Sequence, residues 1–149
     1  FGGWDHHDEL LNRQTDGLGT LSAALSQFYS ALDEINMNDC VTTFSISDFA
    51  RTLTSNGNGT DHAWGGHAFM MGGAVNGKEI YGAYPSLALG SELELGDGIL
   101  LPTTSADEYF AELALWFGVS PFDLPMILPN IGNFYSVGSG TPPIGFMQL

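Results

Sequence analysis

The sequence predicts an α/β fold, a mixed sheet flanked by helices, in a single domain over residues 1–149. Two observations carry this prediction: an apolar stripe with helical spacing, and a segment rich in β-branched and aromatic residues directly after it. A helix followed by such a strand is typical of a helical layer on a sheet, and we expect the strand to run parallel to a neighbour. With 149 residues, of which 44% are hydrophobic, the chain is long enough for its own core.

The first helix is predicted from apolar residues three and four positions apart, with Thr15 or Asp16 as the cap at its start. Its stripe is more typical of core packing than of a groove for a partner. Residues 41–46, Val-Thr-Thr-Phe-Ser-Ile, are then predicted to form a strand. The stripe consists of Leu18, Leu21, Leu25, Phe28, Leu32 and Ile35.

The middle of the chain is predicted to alternate loops with short strands. Residues 52–60 contain Asn-Gly-Asn-Gly and are predicted to form a mobile loop. The apolar residues 68–75 indicate a buried strand, which Asn-Gly at 76–77 would turn into a hairpin with residues 79–81. A second hairpin is predicted to turn at residues 96–98, Gly-Asp-Gly.

The C-terminal third begins with a capping box, Ser-Ala-Asp-Glu, at residues 105–108. It predicts a helix through about Phe117. Ser120-Pro121 indicates a second, short helix, because proline is tolerated in a first helical turn. The Gly- and Pro-rich tail from Pro129 is expected to wrap the surface.

The charge of the chain excludes some partners. Its net charge is −14, with only three basic residues, so it cannot neutralise a phosphate backbone and is not expected to bind nucleic acid. The negative field would attract cations instead. The single cysteine, Cys40, cannot form an internal disulfide. No apolar run reaches the roughly 18 residues of a membrane span, so none is expected.

All four histidines lie in two clusters with acids, Asp-His-His-Asp at 5–8 and Asp61-His62 followed by His67. Carboxylate and imidazole together are the ligands of hydrolytic metal sites. Each cluster also has a simpler interpretation. Residues 5–8 could be a frayed terminus, His62 a surface loop histidine and His67 a structural histidine at the start of a buried strand.

Asp48 directly follows the first predicted strand, where open α/β sheets place their sites. It could equally be a helix cap or a loop carboxylate. Arg51, three residues later, could pair with Asp48 or hold an anionic substrate. No Gly-x-Ser-x-Gly motif is present, and Cys40 has no histidine near it in sequence, so a self-contained nucleophilic triad is not indicated.

Seven segments, taken in order, carry a resemblance to a known family: residues 1–7, 44–52, 58–67, 72–75, 80–82, 102–105 and 128–130. Together they resemble a bacterial family of exported proteins, domain-of-unknown-function family fifteen-oh-one, which is related to the alkaline phosphatase and sulfatase superfamily. The resemblance implies a metal-dependent hydrolase-like fold with a mixed sheet between helical layers. It also implies that the chain is the C-terminal part of that fold, truncated on its N-terminal side, with the nucleophile and another metal-binding acid upstream.

The resemblance also implies a site. A divalent metal, zinc or a similar ion, would be the cofactor, and Arg51 would contact the anionic substrate. The metal ligands would be Asp5, His7, Asp48 and His62, with His67 as a neighbour or a further ligand.

Three functions remain open. The full protein would be a periplasmic or extracellular metal-dependent hydrolase of small phosphate or sulfate esters, and this chain alone would be inactive or very weak. Alternatively, it is a non-catalytic binding or cell-surface module with a degenerate site, because Phe49 stands where the superfamily usually has a histidine. The third option is an acidic fragment whose histidines are structural. In each case a truncated sheet would expose an edge, so we expect self-association into a homo-oligomer.

Overall fold

A computed structural model describes residues 2–149 and contains helices together with two small antiparallel sheets. The predicted mixture of helix and strand is therefore confirmed. The contacts group into two compact units. Unit 1 runs up to Gly73 and includes Pro85–Pro102, and unit 2 comprises Ala74–Tyr84 and Thr103–Leu149. A single domain over residues 1–149 stays a prediction. Among the described residues no helix has the length and apolar character needed to cross a membrane.

The first helix, α1, spans Leu10–Glu34 and begins well before the predicted capping residues. Glu9 precedes it with a positive φ of 50° and no side-chain cap, so neither Thr15 nor Asp16 starts the helix. The expectation of a core-facing stripe is wrong for most of its length, because Leu32 is the only buried residue of α1. The described part of unit 1 has two-stranded sheets only, and these are too narrow to cover 25 residues of helix.

The predicted strands at 41–46 and 68–75 are much shorter in the structure. Strand β1 is Thr43–Phe44 and pairs antiparallel with β4, Met70–Met71, rather than with a parallel neighbour. Strand β4 is half-buried rather than buried. The ladder ends early because the Gly73 amide donates to the Asn38 carbonyl, 2.9 Å away, instead of extending the sheet.

Residues 52–60 form a hairpin rather than a mobile loop. Strand β2, Ala50–Ser55, pairs antiparallel with β3, Thr60–Ala63, and Arg51 lies opposite His62. The turn between them closes through Asn56, whose Oδ1 accepts from the Gly59 amide at 2.9 Å. The Asn-Gly-Asn-Gly composition that indicated a loop is therefore the composition of a tight turn.

The hairpin predicted at residues 76–81 is wrong. Val75 instead forms an antiparallel bridge with Met147, and the Asn76 amide donates to the Phe146 carbonyl at 2.8 Å. The Tyr81 hydroxyl donates to the Asn76 carbonyl, which leaves this segment as a loop. Pairing with the distant C-terminus thus replaces the local pairing that the Asn-Gly turn suggested.

The hairpin predicted at residues 96–98 is confirmed as a bridge between Glu94 and Leu100. Its turn wraps around the Glu94 carboxylate, which accepts amide hydrogens from Gly90, Gly96 and Gly98 at 2.8–2.9 Å. These backbone hydrogen bonds, those of Gly90 and Gly98 first, hold the pKa of Glu94 below its usual value.

The second helix, α2, spans Ala106–Trp116 and has the predicted capping box. The Ser105 hydroxyl accepts from the Glu108 amide at 3.1 Å, and the Glu108 carboxylate accepts from the Ser105 amide at 3.0 Å. The short helix after Pro121 is also confirmed. It is a 3₁₀ turn at Pro121–Asp123 that leads into α3, Leu124–Ile127; the other 3₁₀ turns are Asn38–Cys40 and Ile131–Asn133.

Within unit 2, the buried carboxylate of Glu112 connects α2 to the C-terminal segment, residues 144–147. Glu112 has no exposed surface. Its Oε2 accepts from the amides of Ile144 and Gly145, both at 2.6 Å, and its Oε1 accepts from the Met147 amide at 2.7 Å. A buried charge is tolerated when its lone pairs are satisfied in this way.

Replacing Glu112 with glutamine should destabilise the protein by about 1–3 kcal/mol, because one carboxylate oxygen becomes an NH2 group, which cannot accept a hydrogen bond and leaves at least one buried backbone amide unsatisfied. Urea unfolding followed by circular dichroism measures the change. Glu79→Gln is the matched control, because Glu79 is exposed, and it should change stability by less than about 0.5 kcal/mol. Equal stability of the two variants would contradict the role of Glu112.

Candidate metal centre

The N-terminal segment, residues 5–7, lies across the turn of the β2–β3 hairpin. The Thr60 amide donates to the His6 carbonyl at 3.2 Å, and the Asn56 side-chain amide donates to the His7 carbonyl at 3.3 Å. The approach is so close that a Cβ on Gly59 would lie 2.3 Å from the carbonyl carbon of His7. Only glycine at position 59 allows this contact, which brings residues 5–7 next to residues 60–62.

Asp5, His7 and His62 meet at this contact, and we call them the Asp–His–His cluster. Asp5 Oδ1 lies 2.9 Å from His7 Nε2 and 2.9 Å from His62 Nε2. The two Nε2 atoms are 3.1 Å apart. Each side chain is about half exposed, at 51%, 46% and 51%, so the cluster is open to solvent.

The spacing of these three atoms suits a metal ion. Ligand atoms about 2.1 Å from one ion and at right angles to each other are about 3.0 Å apart, close to the observed sides of the triangle. Two imidazoles and one carboxylate also match the donors of known catalytic metal sites. The residues present therefore fit a divalent ion by both donor chemistry and spacing.

The cluster also has too few hydrogens for its contacts. When both histidines are neutral, each carries one N–H, and His7 has two carboxylate contacts, with Asp5 at 2.9 Å and with Asp61 at 3.1 Å, for its single hydrogen. The His62 hydrogen can satisfy Asp5, but one of the two contacts of His7 with a carboxylate remains a contact between two acceptors. A cation at the centre of the triangle, or an extra proton on His7, removes that repulsion.

Arg51 holds the carboxylate of the cluster. Its Nη1 lies 2.5 Å from Asp5 Oδ1, its Nε donates to the Thr60 hydroxyl at 2.8 Å, and its Nη2 donates to the Thr60 carbonyl. The cross-strand register that places Arg51 beside His62 lets both reach the same oxygen. The hydrogen bond from His62, followed by that from Arg51, holds the pKa of Asp5 below its usual value. The carboxylate that Arg51 contacts is thus that of Asp5, not that of Asp48. Its contact with a substrate anion stays a prediction.

Phe49 forms the apolar side of the cluster. Its ring stacks on the His62 imidazole, with the centroids 4.2 Å apart and the planes 17° apart. The Arg51 guanidinium carbon lies 5.7 Å from the same ring centroid. The ring of Phe49 therefore orients the imidazole of His62.

Asp61 contacts the cluster from outside it. One carboxylate oxygen lies 3.1 Å from His7 Nδ1 and 3.2 Å from the side-chain nitrogen of Asn56. The hydrogen bond from Asn56 and then that from His7 hold the pKa of Asp61 below its usual value. The sequence pointed to Asp61 only as the neighbour of His62, and no sequence signal assigned a function to Asn56.

Two predicted ligands lie outside the cluster. Asp48 is exposed between β1 and β2, and His67 is exposed between β3 and β4. Among residues 2–149, neither belongs to a group of three or more acid, imidazole or thiol side chains close enough to share an ion. Metal binding by these two residues stays a prediction.

The fourth histidine, His6, is buried, and its Nδ1 lies 3.1 Å from the side-chain oxygen of Gln14, which indicates a structural function.

Replacing Arg51 with glutamine should raise the titration midpoint of Asp5, because the hydrogen bond from Arg51, after that from His62, holds the pKa of this carboxyl below its usual value. A carboxyl with a lowered pKa stabilises the fold at higher pH, and that stabilisation is lost as the pH falls through the lowered pKa. The variant should therefore lose less stability on acidification. Carbon NMR of the carboxyl groups measures the midpoint. Arg13→Gln is the control, since Arg13 pairs with Glu9, and an unchanged Asp5 midpoint in the Arg51 variant would contradict the assignment.

Replacing Gly59 with alanine should cost about 1–3 kcal/mol, because the added Cβ overlaps the His7 backbone and must push the N-terminal segment away from the turn. Urea unfolding provides the measurement. Gly19→Ala in α1 is the control, because its Cβ would meet nothing within 4 Å. If both alanine variants were as stable as the parent, the close packing at Gly59 would be refuted.

Comparison with known proteins places these features in a family. The family described as "Protein of unknown function (DUF1501)" matches residues 1–103, which include the Asp–His–His cluster and the β2–β3 hairpin. Neither a curated protein nor a solved structure matches the chain. The match covers more than half of the 149 residues, and the chain belongs to the DUF1501 family.

Proposed function

We propose that the Asp–His–His cluster binds one divalent metal ion, and that the protein is a metal-dependent hydrolase of small phosphate or sulfate esters. One observation carries the proposal: Asp5 Oδ1 and the Nε2 atoms of His7 and His62 converge to within 2.9–3.1 Å of one another. Two imidazoles and one carboxylate are donors that suit zinc or a similar divalent ion, and their spacing suits ligands at right angles around that ion.

The charges around the cluster support a cation there. Asp5 and Asp61 are acidic and Arg51 is basic, so with neutral histidines these side chains have a net negative charge. The whole chain carries −14. This field attracts a divalent ion, whose binding would leave the surroundings positive enough to receive an anionic ester.

The residues would divide the work as follows. His7, His62 and Asp5 hold the ion, which when bound polarises an ester oxygen. Arg51 fixes the Asp5 carboxylate, and Phe49 fixes the His62 ring. Half-exposed ligands leave the solvent side open to a substrate. We propose that the nucleophile lies outside these 149 residues, that the chain is the C-terminal part of an alkaline-phosphatase-like fold, and that the protein is exported.

A second function is supported by Phe49, which stands where the superfamily usually has a histidine and stacks on His62. With one imidazole ligand fewer, the protein would bind a metal without turnover and serve as a binding module. Metal binding and hydrolysis must therefore be measured separately.

The chain, freed of any affinity tag, should bind one zinc ion in a calorimetric titration. His62→Asn should weaken binding by about 100-fold or more, because one of three ligands is lost. His67→Asn and Asp48→Asn are matched controls and should bind as the parent does, because both residues lie outside the cluster. An unchanged affinity in the His62 variant, or no binding by the parent, would refute the metal site.

Hydrolysis is then tested on the full natural protein with a panel of phosphate and sulfate monoesters. Turnover that a chelator removes, and that His62→Asn abolishes, is the result expected for a hydrolase. Zinc binding without any turnover would favour the binding module instead.

A further inference from the structure

We propose that Asp61 is a positioning residue, which selects the form of the His7 ring that can bind a metal ion. This inference rests on the metal site proposed above. It concerns a side chain that does not belong to the Asp–His–His cluster, because the atoms that lie close enough to share one ion come from Asp5, His7 and His62.

The Asp61 carboxylate contacts the outer edge of the His7 ring. Its Oδ1 lies 3.1 Å from Nδ1, while Nε2 of the same ring faces Asp5 and His62. An ionised carboxylate can only accept hydrogen bonds, so the single hydrogen of neutral His7 must be on Nδ1. Nε2 then presents its lone pair to the centre of the cluster.

The other form of the ring would block the site. With its hydrogen on Nε2, His7 would direct an N–H to the position where the ion is proposed to bind, and its lone pair would face the Asp61 carboxylate. Metal-binding histidines commonly donate their second ring N–H to a carboxylate, which fixes the ring and raises its basicity. The contact between Asp61 and His7 has this arrangement.

Asp61 is itself held in place. Asn56 donates to the Asp61 carboxylate at 3.2 Å and to the His7 carbonyl at 3.3 Å, so one side chain holds both members of the pair. The Asp61 amide donates to the Thr52 hydroxyl at 3.1 Å, which ties its backbone to β2. The carboxylate is therefore positioned by the hairpin before any ion binds.

The first test needs no metal. At a pH where imidazoles are neutral, nitrogen NMR of the metal-free chain should show the His7 hydrogen on Nδ1. Asp61→Ala removes the acceptor, and a large fraction of His7 should then carry its hydrogen on Nε2. Asp8→Ala is the matched control, since Asp8 lies in the same segment and bonds to Asn58 instead. The same His7 form in Asp61→Ala as in the parent would overturn the proposal.

The second test is zinc affinity. Asp61→Ala should bind zinc roughly 10–100-fold more weakly than the parent, still with one ion per chain, and Asp8→Ala should match the parent. Asp61→Asn keeps an acceptor but loses the charge, so it should fall between them, and it serves if the alanine variant does not fold. Unchanged affinity in both Asp61 variants would overturn the proposal. The proposal would also be overturned if the parent bound two zinc ions and the Asp61 variants bound one, because Asp61 would then be a ligand of the second ion.

The two tests separate this inference from the function on which it rests. If the parent chain binds no zinc, the metal site fails, and Asp61 positions no ligand even if the His7 form shifts as expected. If the parent binds zinc through His62 while the His7 form ignores Asp61, the metal site stands and only the inference fails.

Discussion

The candidate site depends on one close contact between the N-terminal segment and the hairpin turn. At Gly59 the two backbones approach so closely that even a methyl group would overlap His7. The Thr60 amide and the Asn56 side chain then hold the segment by its carbonyls. Because these hydrogen bonds fix the backbone around His7, its side chain meets that of His62, which is 55 residues away in the sequence. A local turn thus determines the geometry of a non-local site.

The second constraint is the balance of charge and hydrogen at the cluster. Arg51 neutralises Asp5, and Asn56 holds Asp61, so the carboxylates are fixed by partners that belong to the hairpin. His7 lies between them, with one ring nitrogen against each carboxylate. When both histidines are neutral, the two carboxylates and the one guanidinium leave one negative charge without a positive partner. A bound cation would supply that charge, and the proposed metal site rests on this balance.

Features set by neighbouring residues were predictable from the sequence, and features set by distant contacts were not. The capping box of Ser105 and Glu108 acts within one helical turn, so its pattern identified α2. The apolar stripe predicted the later part of α1, but its first turns, from Leu10, lack that repeat, so the start of the helix was not predicted. Ligand types were visible in the acid–histidine clusters, but sequence alone could not show that Arg51 bonds to Asp5, because that pairing depends on the hairpin register.

The central claim is that Asp5, His7 and His62 share one ion, and a crystal structure of the chain loaded with one equivalent of zinc tests it most directly. Anomalous scattering should place a single zinc ion about 2.0–2.2 Å from Asp5 Oδ1 and from both Nε2 atoms. Zinc bound elsewhere, or through Asp48 and His67 without this cluster, would contradict the account.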